Sequence, residues 1–200
     1  MAVSEKTQIA VLGTLAEFHE SAIPYDMQPL VDLVVEVHPD LLCLDISPEQ
    51  WLRGKLSNLP SEYREALLPL AEQSDIVVVP VGGDGWDAPP ISGWLGRLID
   101  LLHRWLAALQ RSAPGLDAIN RGWRHDLGNL IYHLIALLAT GGLQRLDEKH
   151  VSILRDQVVQ AVRRDPGARI LVVVNIQFCH LLRPELSKYP DIDVVRYQEL

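Results

Sequence analysis

The sequence predicts an α/β fold in which a central, mostly parallel sheet is flanked by helices and carries an inserted helical hairpin. Three observations carry this. Short β-rich runs alternate with segments of helical period. The runs around 41–46, 76–79 and 170–174 are apolar without alternation, the pattern of strands covered on both faces. Glycines, prolines and polar residues gather where each run ends, as they do where strands give way to loops. With 200 residues, 48% of them apolar, the chain is sized for one domain, 1–200, with 91–140 as a helical insertion within it.

Thr7 to Leu12 reads as strand one, closed by Gly13-Thr14, where a loop needs a permissive backbone. Leu30, Leu33, Val34 and Val37 repeat at i, i+3, i+4, i+7 behind Asp26 as N-cap, and Pro29 sits in the first turn, where it is tolerated. His38-Pro39-Asp40 ends that helix, and Leu41 to Ile46 is strand two. Pro48 to Leu56 adds a short helix. Ser61 caps another, with Tyr63, Ala66, Leu67 and Leu70 inward and Pro69 bending or ending it. Asp75 to Val81 is strand three, expected to be buried on both faces. Gly82 to Pro90 is too rich in breakers to be regular.

Two long apolar stripes follow, Trp94 to Leu109 and Ile119 to Leu138, turned by Pro114-Gly115 into a hairpin. Asp147 to Arg164 is a further helix, stopped by Asp165-Pro166-Gly167, and Ile170 to Val174 is strand four. Leu181 to Lys188 is expected as a short helix before an edge strand near Val194-Val195.

Eighteen Lys and Arg against 26 Asp and Glu give a net charge of −8 with no basic stripe, which argues against nucleic acid as a partner. The longest apolar runs are broken by Asp100, His103, Arg104, Asn129 and His133 and fall short of a membrane span, so no membrane partner is expected. Two cysteines, Cys43 and Cys179, and no cationic-then-apolar leader lead to the expectation of a reducing, cytoplasmic setting.

No G-x-G-x-x-G, phosphate loop, G-x-S-x-G elbow, H-E-x-x-H helix or paired C-x-x-C occurs. In an open α/β sheet, ligands bind beyond the carboxyl ends of the strands, so the polar residues there matter most. Strand one is followed by Glu17, His19 and Glu20; strand two ends at Asp45; strand three leads to Asp84 and Asp87; strand four ends near Asn175, Gln177 and His180. Converging imidazoles and carboxylates hold a divalent ion, or activate water with histidine as base and a carboxylate orienting it. Each group also has a plainer use. Loops are solvated, Asp45 suits an N-cap or Asx turn before Ser47-Pro48, and Asp84 and Asp87 suit the turn itself.

The stripe His125, Asn129, Tyr132 and His133 reads as a partly solvated helix face or a set of core hydrogen bonds. Trp86, Trp94, Trp105 and Trp123 read as packing anchors. Cys179, beside His180, reads as a buried, inert thiol.

Ile9-Ala10-Val11-Leu12-Gly13-Thr14 with His19 downstream, then Pro39-Asp40-Leu41-Leu42-Cys43-Leu44-Asp45-Ile46, resembles the opening of the TraB/Tiki, erythromycin esterase and ChaN superfamily. Glu148-Lys149-His150, Pro166-Gly167-Ala168-Arg169-Ile170 and His180 are similar to its closing E-R-N and P-G-x-R-hydrophobic-G-x-x-H elements, with Asp45 where the family carries Glu. The resemblance implies a hydrolase that drives activated water onto an ester or amide, with catalytic residues Glu17, His19, Asp45 and His180. Metal-assisted members of that scheme would use His19, Asp45 and His180 for zinc, manganese or iron. The expected partner is a small-molecule or peptide substrate, with homo-oligomerisation through the hairpin. The alternative is a non-catalytic ligand-binding or oligomeric scaffold that keeps the fold.

Overall fold

The computed structural model describes residues 6–15, 26–83, 93–139 and 142–200. Five parallel strands form one sheet: β1 (Thr7–Thr14), β2 (Leu41–Leu44), β3 (Val77–Pro80), β4 (Ile170–Asn175) and β5 (Ile192–Val195), in the order β3-β2-β4-β1-β5. The α/β class and the parallel central sheet read from the sequence are therefore present.

The helices are α1 (Met27–Val37), α2 (Pro48–Leu52), a π-helical segment Glu62–Leu67 running into α3 (Leu68–Glu72), α4 (Gly93–Arg111), α5 (Leu116–Asn120), α6 (Trp123–Leu138), α7 (Gly142–Arg164) and α8 (Ile176–Leu186). From β1 through β2 to β3 the chain crosses the sheet one way, and from β3 through β4 to β5 it returns. Right-handed crossovers then place α1 and the π segment on one face and α7 with α8 on the other. The packing of α1 on the π segment and of α7 on α8 agrees. Ile9, Leu12, Leu42, Leu44, Leu171, Leu30, Leu67, Leu154 and Leu182 fill the layers between, all fully buried.

Local chemistry explains the elements. Asp26 caps α1 by accepting from Gln28 N, and Leu30, Leu33, Val34 and Val37 are its buried face. Ser47 caps α2. Around Pro69, which has no N–H and whose ring crowds the carbonyl four residues back, the helix widens, and Leu68 N bonds Tyr63 O in the π pattern. Ser61 makes no side-chain cap there, contrary to expectation.

Three further expectations are corrected. β3 is an edge strand, so Val77 is 52% exposed rather than covered on both faces. The second hairpin stripe is two helices, because Gly122, at φ +76°, breaks the chain between α5 and α6. The helix after β4 starts at once, at Ile176, because Asn175 ends the strand and caps α8 by accepting from Gln177 N.

β5 pairs with β1 only as far as Ala10. Beyond that point side chains replace it. Arg183 donates to Val11 O at 2.8 Å, and the Asn120 amide accepts from Gly13 N at 2.7 Å while donating to Gly13 O at 2.9 Å. This satisfies backbone groups that burial would otherwise leave unpaired. No described helix is long and apolar enough to cross a membrane.

Candidate functional site

The registers Thr14↔Asn175 and Leu44↔Val173 bring the ends of β1, β4 and β2 to a common edge, with the Val81–Gly83 exit of β3 beside β2. Asp45 is the first residue past β2. Its carboxylate does not cap α2, a role Ser47 takes; Asp45 Oδ2 instead lies 2.8 Å from His150 Nε2 on α7. Both side chains are largely buried, at 15% and 9% exposure. His150 also packs against Phe178 of α8, with ring centroids 4.6 Å apart.

Backbone holds this pair in place. Gly82 N bonds Ile46 O, and a Cβ on Gly82 would lie 2.5 Å from Asp45 Oδ1 and 2.7 Å from Ile46 N, so only glycine lets the β3 exit close over the carboxylate. Gly83 lies against the other imidazole nitrogen: a Cβ there would be 3.7 Å from His150 Nδ1. In its neutral form an imidazole facing an ionised carboxylate donates through the facing nitrogen, which leaves the Nδ1 lone pair on the Gly83 side.

A second acid sits under the same edge. Glu62, 1% exposed, accepts from Thr14 Oγ1, which also reaches Val174 O at 3.2 Å. Tyr63 donates to Val173 O at 2.9 Å. Its hydroxyl is held well above the usual tyrosine range by burial, with the nearby Asp45 and Glu62 carboxylates pushing the same way. One turn before His150, burial raises the Asp147 carboxyl to about 6, against a partial offset from His150.

His180, expected to face Asp45, keeps other company. Its ring stacks on Tyr132 of α6, centroids 6.0 Å apart, and burial lowers its pKa, helped by the imidazoles of His125 and His133. Asp45 is thus bonded to His150, not to His180. Glu17, His19 and Glu20, like Asp84, Asp87 and Trp86, lie outside the described residues. Among the described residues no three His, Cys, Asp or Glu side chains are grouped to hold a metal ion. Of the expected His19, Asp45 and His180 ligand set, His19 lies outside the described residues, while Asp45 and His180 keep different partners.

His125 bonds Ile119 O and Asn129, and Tyr132 bonds Gln110, so the polar stripe of α6 makes internal hydrogen bonds as expected. Burial pushes the thiols of Cys43 and Cys179 up to about 12, consistent with inert cysteines. Of the tryptophans expected as packing anchors, the described Trp94, Trp105 and Trp123 are all exposed instead.

A cavity of about 370 Å³ opens beside Leu15 and Asn175, at the neighbouring strand ends of β1 and β4, roofed by α4 and α6 and lined by His103, Arg104, Gln110, Tyr132 and Gln177. Neither Asp45 nor His150 lines it.

The sequence places Thr14 in the turn after strand one and Tyr63 on an inward helix face, and marks neither of them, nor His150 or Glu62, as a site residue. His150 was visible only as the last residue of Glu148-Lys149-His150. Glu62 gave one usable signal, an acid beside the inward Tyr63. Glu62 is buried on the π segment together with Tyr63, Ala66 and Leu67. Comparison with family models, curated proteins and solved structures finds no match to this chain.

Proposed function

We propose that this chain is a hydrolase, a divergent relative of the TraB/Tiki and erythromycin esterase superfamily, in which His150 is the base and Asp45 orients it. The observation that carries the reading is the largely buried Asp45–His150 pair at the carboxyl edge of a parallel sheet, the side on which such sheets bind ligands. It follows the base-and-orienter logic of hydrolytic sites, with the carboxylate fixing the tautomer and stabilising the imidazolium that forms.

In the reaction His150 Nδ1 takes a proton from water as the water oxygen bonds to an ester or amide carbonyl carbon. The tetrahedral adduct then expels the alcohol or amine, which leaves with the proton returned from His150. A second reading, non-catalytic ligand binding, is favoured by the 370 Å³ cavity, which lies in the size range of small-molecule sites yet excludes the Asp45–His150 pair from its lining.

Hydrolysis of a panel of short aryl esters and acyl amides tests the reading. His150→Ala is expected to cost about 10²–10⁴ in kcat/KM, and Asp45→Asn a comparable factor through the wrong tautomer. His180→Ala should stay within a few-fold. Turnover indifferent to His150→Ala, or no turnover by the parent chain across the panel, contradicts it.

A further inference from the structure

The α4–α6 hairpin is amphipathic the wrong way round. The two helices run antiparallel: Gly128 faces Leu106, and Arg124 donates to Leu109 O and Ser112 Oγ. They share an inner layer of Ile99, Leu106, Ile131, Ile135 and Ala139. Yet the polar sides, carrying His103, Arg104, Gln110 and Tyr132, border the cavity at the sheet, and the large apolar side chains point outward.

Those outward residues are not scattered. On α6 they are Trp123, Leu127, Leu130, Leu134 and Leu137, spaced 4, 3, 4, 3; on α4 the exposed Trp94, Leu101 and Trp105, together with the half-buried Leu98 and the small Ala108, repeat the same spacing. A 4-3 repeat is the seam by which one helix packs its knobs into the holes of another. On a right-handed helical wheel both seams fall on the same side of the antiparallel pair, with the partly buried Leu102, Leu109 and Leu138 filling the arc between them.

Trp94 is 72%, Trp123 65% and Leu137 64% exposed. Together the eight exposed Trp and Leu side chains of the hairpin present on the order of 900 Å² of apolar surface, against roughly 800 Å² that each partner gives to a standard interface. A lone soluble domain seldom leaves a patch of that size uncovered.

We propose that this face pairs with the same face of a second copy of the chain, making a two-fold dimer whose interface is a four-helix bundle. Charge selects the arrangement. Arg97, Arg104 and Arg111, seven apart, border the α4 seam, whereas Asp126 and His133 border the α6 seam. A two-fold axis along the helices lays α4 of one copy on α6 of its partner and puts the arginine edge against the Asp126 edge. An axis across the helices would set arginines against arginines.

Sedimentation of the full chain tests the proposal. The parent is expected at twice 22.4 kDa, and Leu101→Glu with Leu130→Glu to raise the dimer Kd on the order of a hundredfold, with unchanged far-UV circular dichroism. Trp94→Arg, at a position already facing water, serves as a second variant and should weaken the dimer in the same direction. A parent that stays monomeric at tens of micromolar, or a dimer indifferent to all three substitutions, overturns it. A monomer that instead sediments with phosphatidylserine vesicles through the same residues also overturns it, assigning the face to a lipid surface.

Discussion

His150 and Asp45 show how much a single hydrogen bond decides. Asp45 is marked in the sequence by its place at the end of strand two whereas His150 is not, and with 105 residues between them only the fold relates the two. The neighbouring Asp147 is legible in the same limited way, as one acid in a charged helix start, and its character comes from burial. Its folded pKa of about 6 lies above its ordinary 3.8, so the folded state holds the extra proton. Any stability linked to that proton is fully present below about pH 4 and is lost as pH rises through 6. Asp147→Asn is therefore expected to stabilise the chain by about 1–2 kcal/mol at pH 8, after allowing for partial solvent screening, and by nothing measurable at pH 4. Urea unfolding at the two pH values reads this; an equal gain at both contradicts the assignment of burial as the cause.

Elements were more legible than their neighbours. Apolar runs and caps placed β1, β2, β4 and α1 to within a few residues, because a strand covered on both faces and an amphipathic helix write their periods into the sequence. Strand order was not written there, since parallel neighbours are joined through long crossovers. Hence the exposed edge position of Val77 was missed. Arg169, in the P-G-x-R element of the resemblance, shows the same limit: it lies at the opposite edge of the sheet from Asp45, where its guanidinium donates to Val37 O, His38 O and Leu200 O and ties α1 to the last residue. The tryptophans were misread for a related reason. Period tells that a helix has an apolar face, not whether that face turns toward its own domain. The close packing of β1 on α8 gives a direct test of the element contacts. An alanine Cβ at Gly13 would overlap Ile176 Cδ1 and come within 2.9 Å of Cys179 Sγ and 3.0 Å of the Ile176 backbone. Gly13→Ala is expected to lower unfolding stability by about 2–3 kcal/mol through overpacking, read as a drop in the urea midpoint, and a change under 0.5 kcal/mol, roughly the surface-substitution range, contradicts that packing.

At the scale of the molecule, the Asp45–His150 pair is put together at one edge of the sheet. β2 delivers Asp45, the β3 exit closes over it with Gly82, α7 brings His150 down from the returning half of the topology, and β1 and β4 seat Glu62 and Tyr63 beneath. Asp45, legible from its place at the end of strand two, lies at this edge, bonded to His150. α8 turns His180 toward Tyr132 of the hairpin, and the imidazole that meets Asp45 comes instead from α7. The whole account rests on the state of one imidazole, which long-range ¹H–¹⁵N NMR of His150 at pH 8 reads directly. The account predicts a neutral ring protonated on Nε2, with Nδ1 bare, and loss of that single tautomer in Asp45→Asn. A ring protonated on Nδ1, or a signal unchanged by Asp45→Asn, would contradict it.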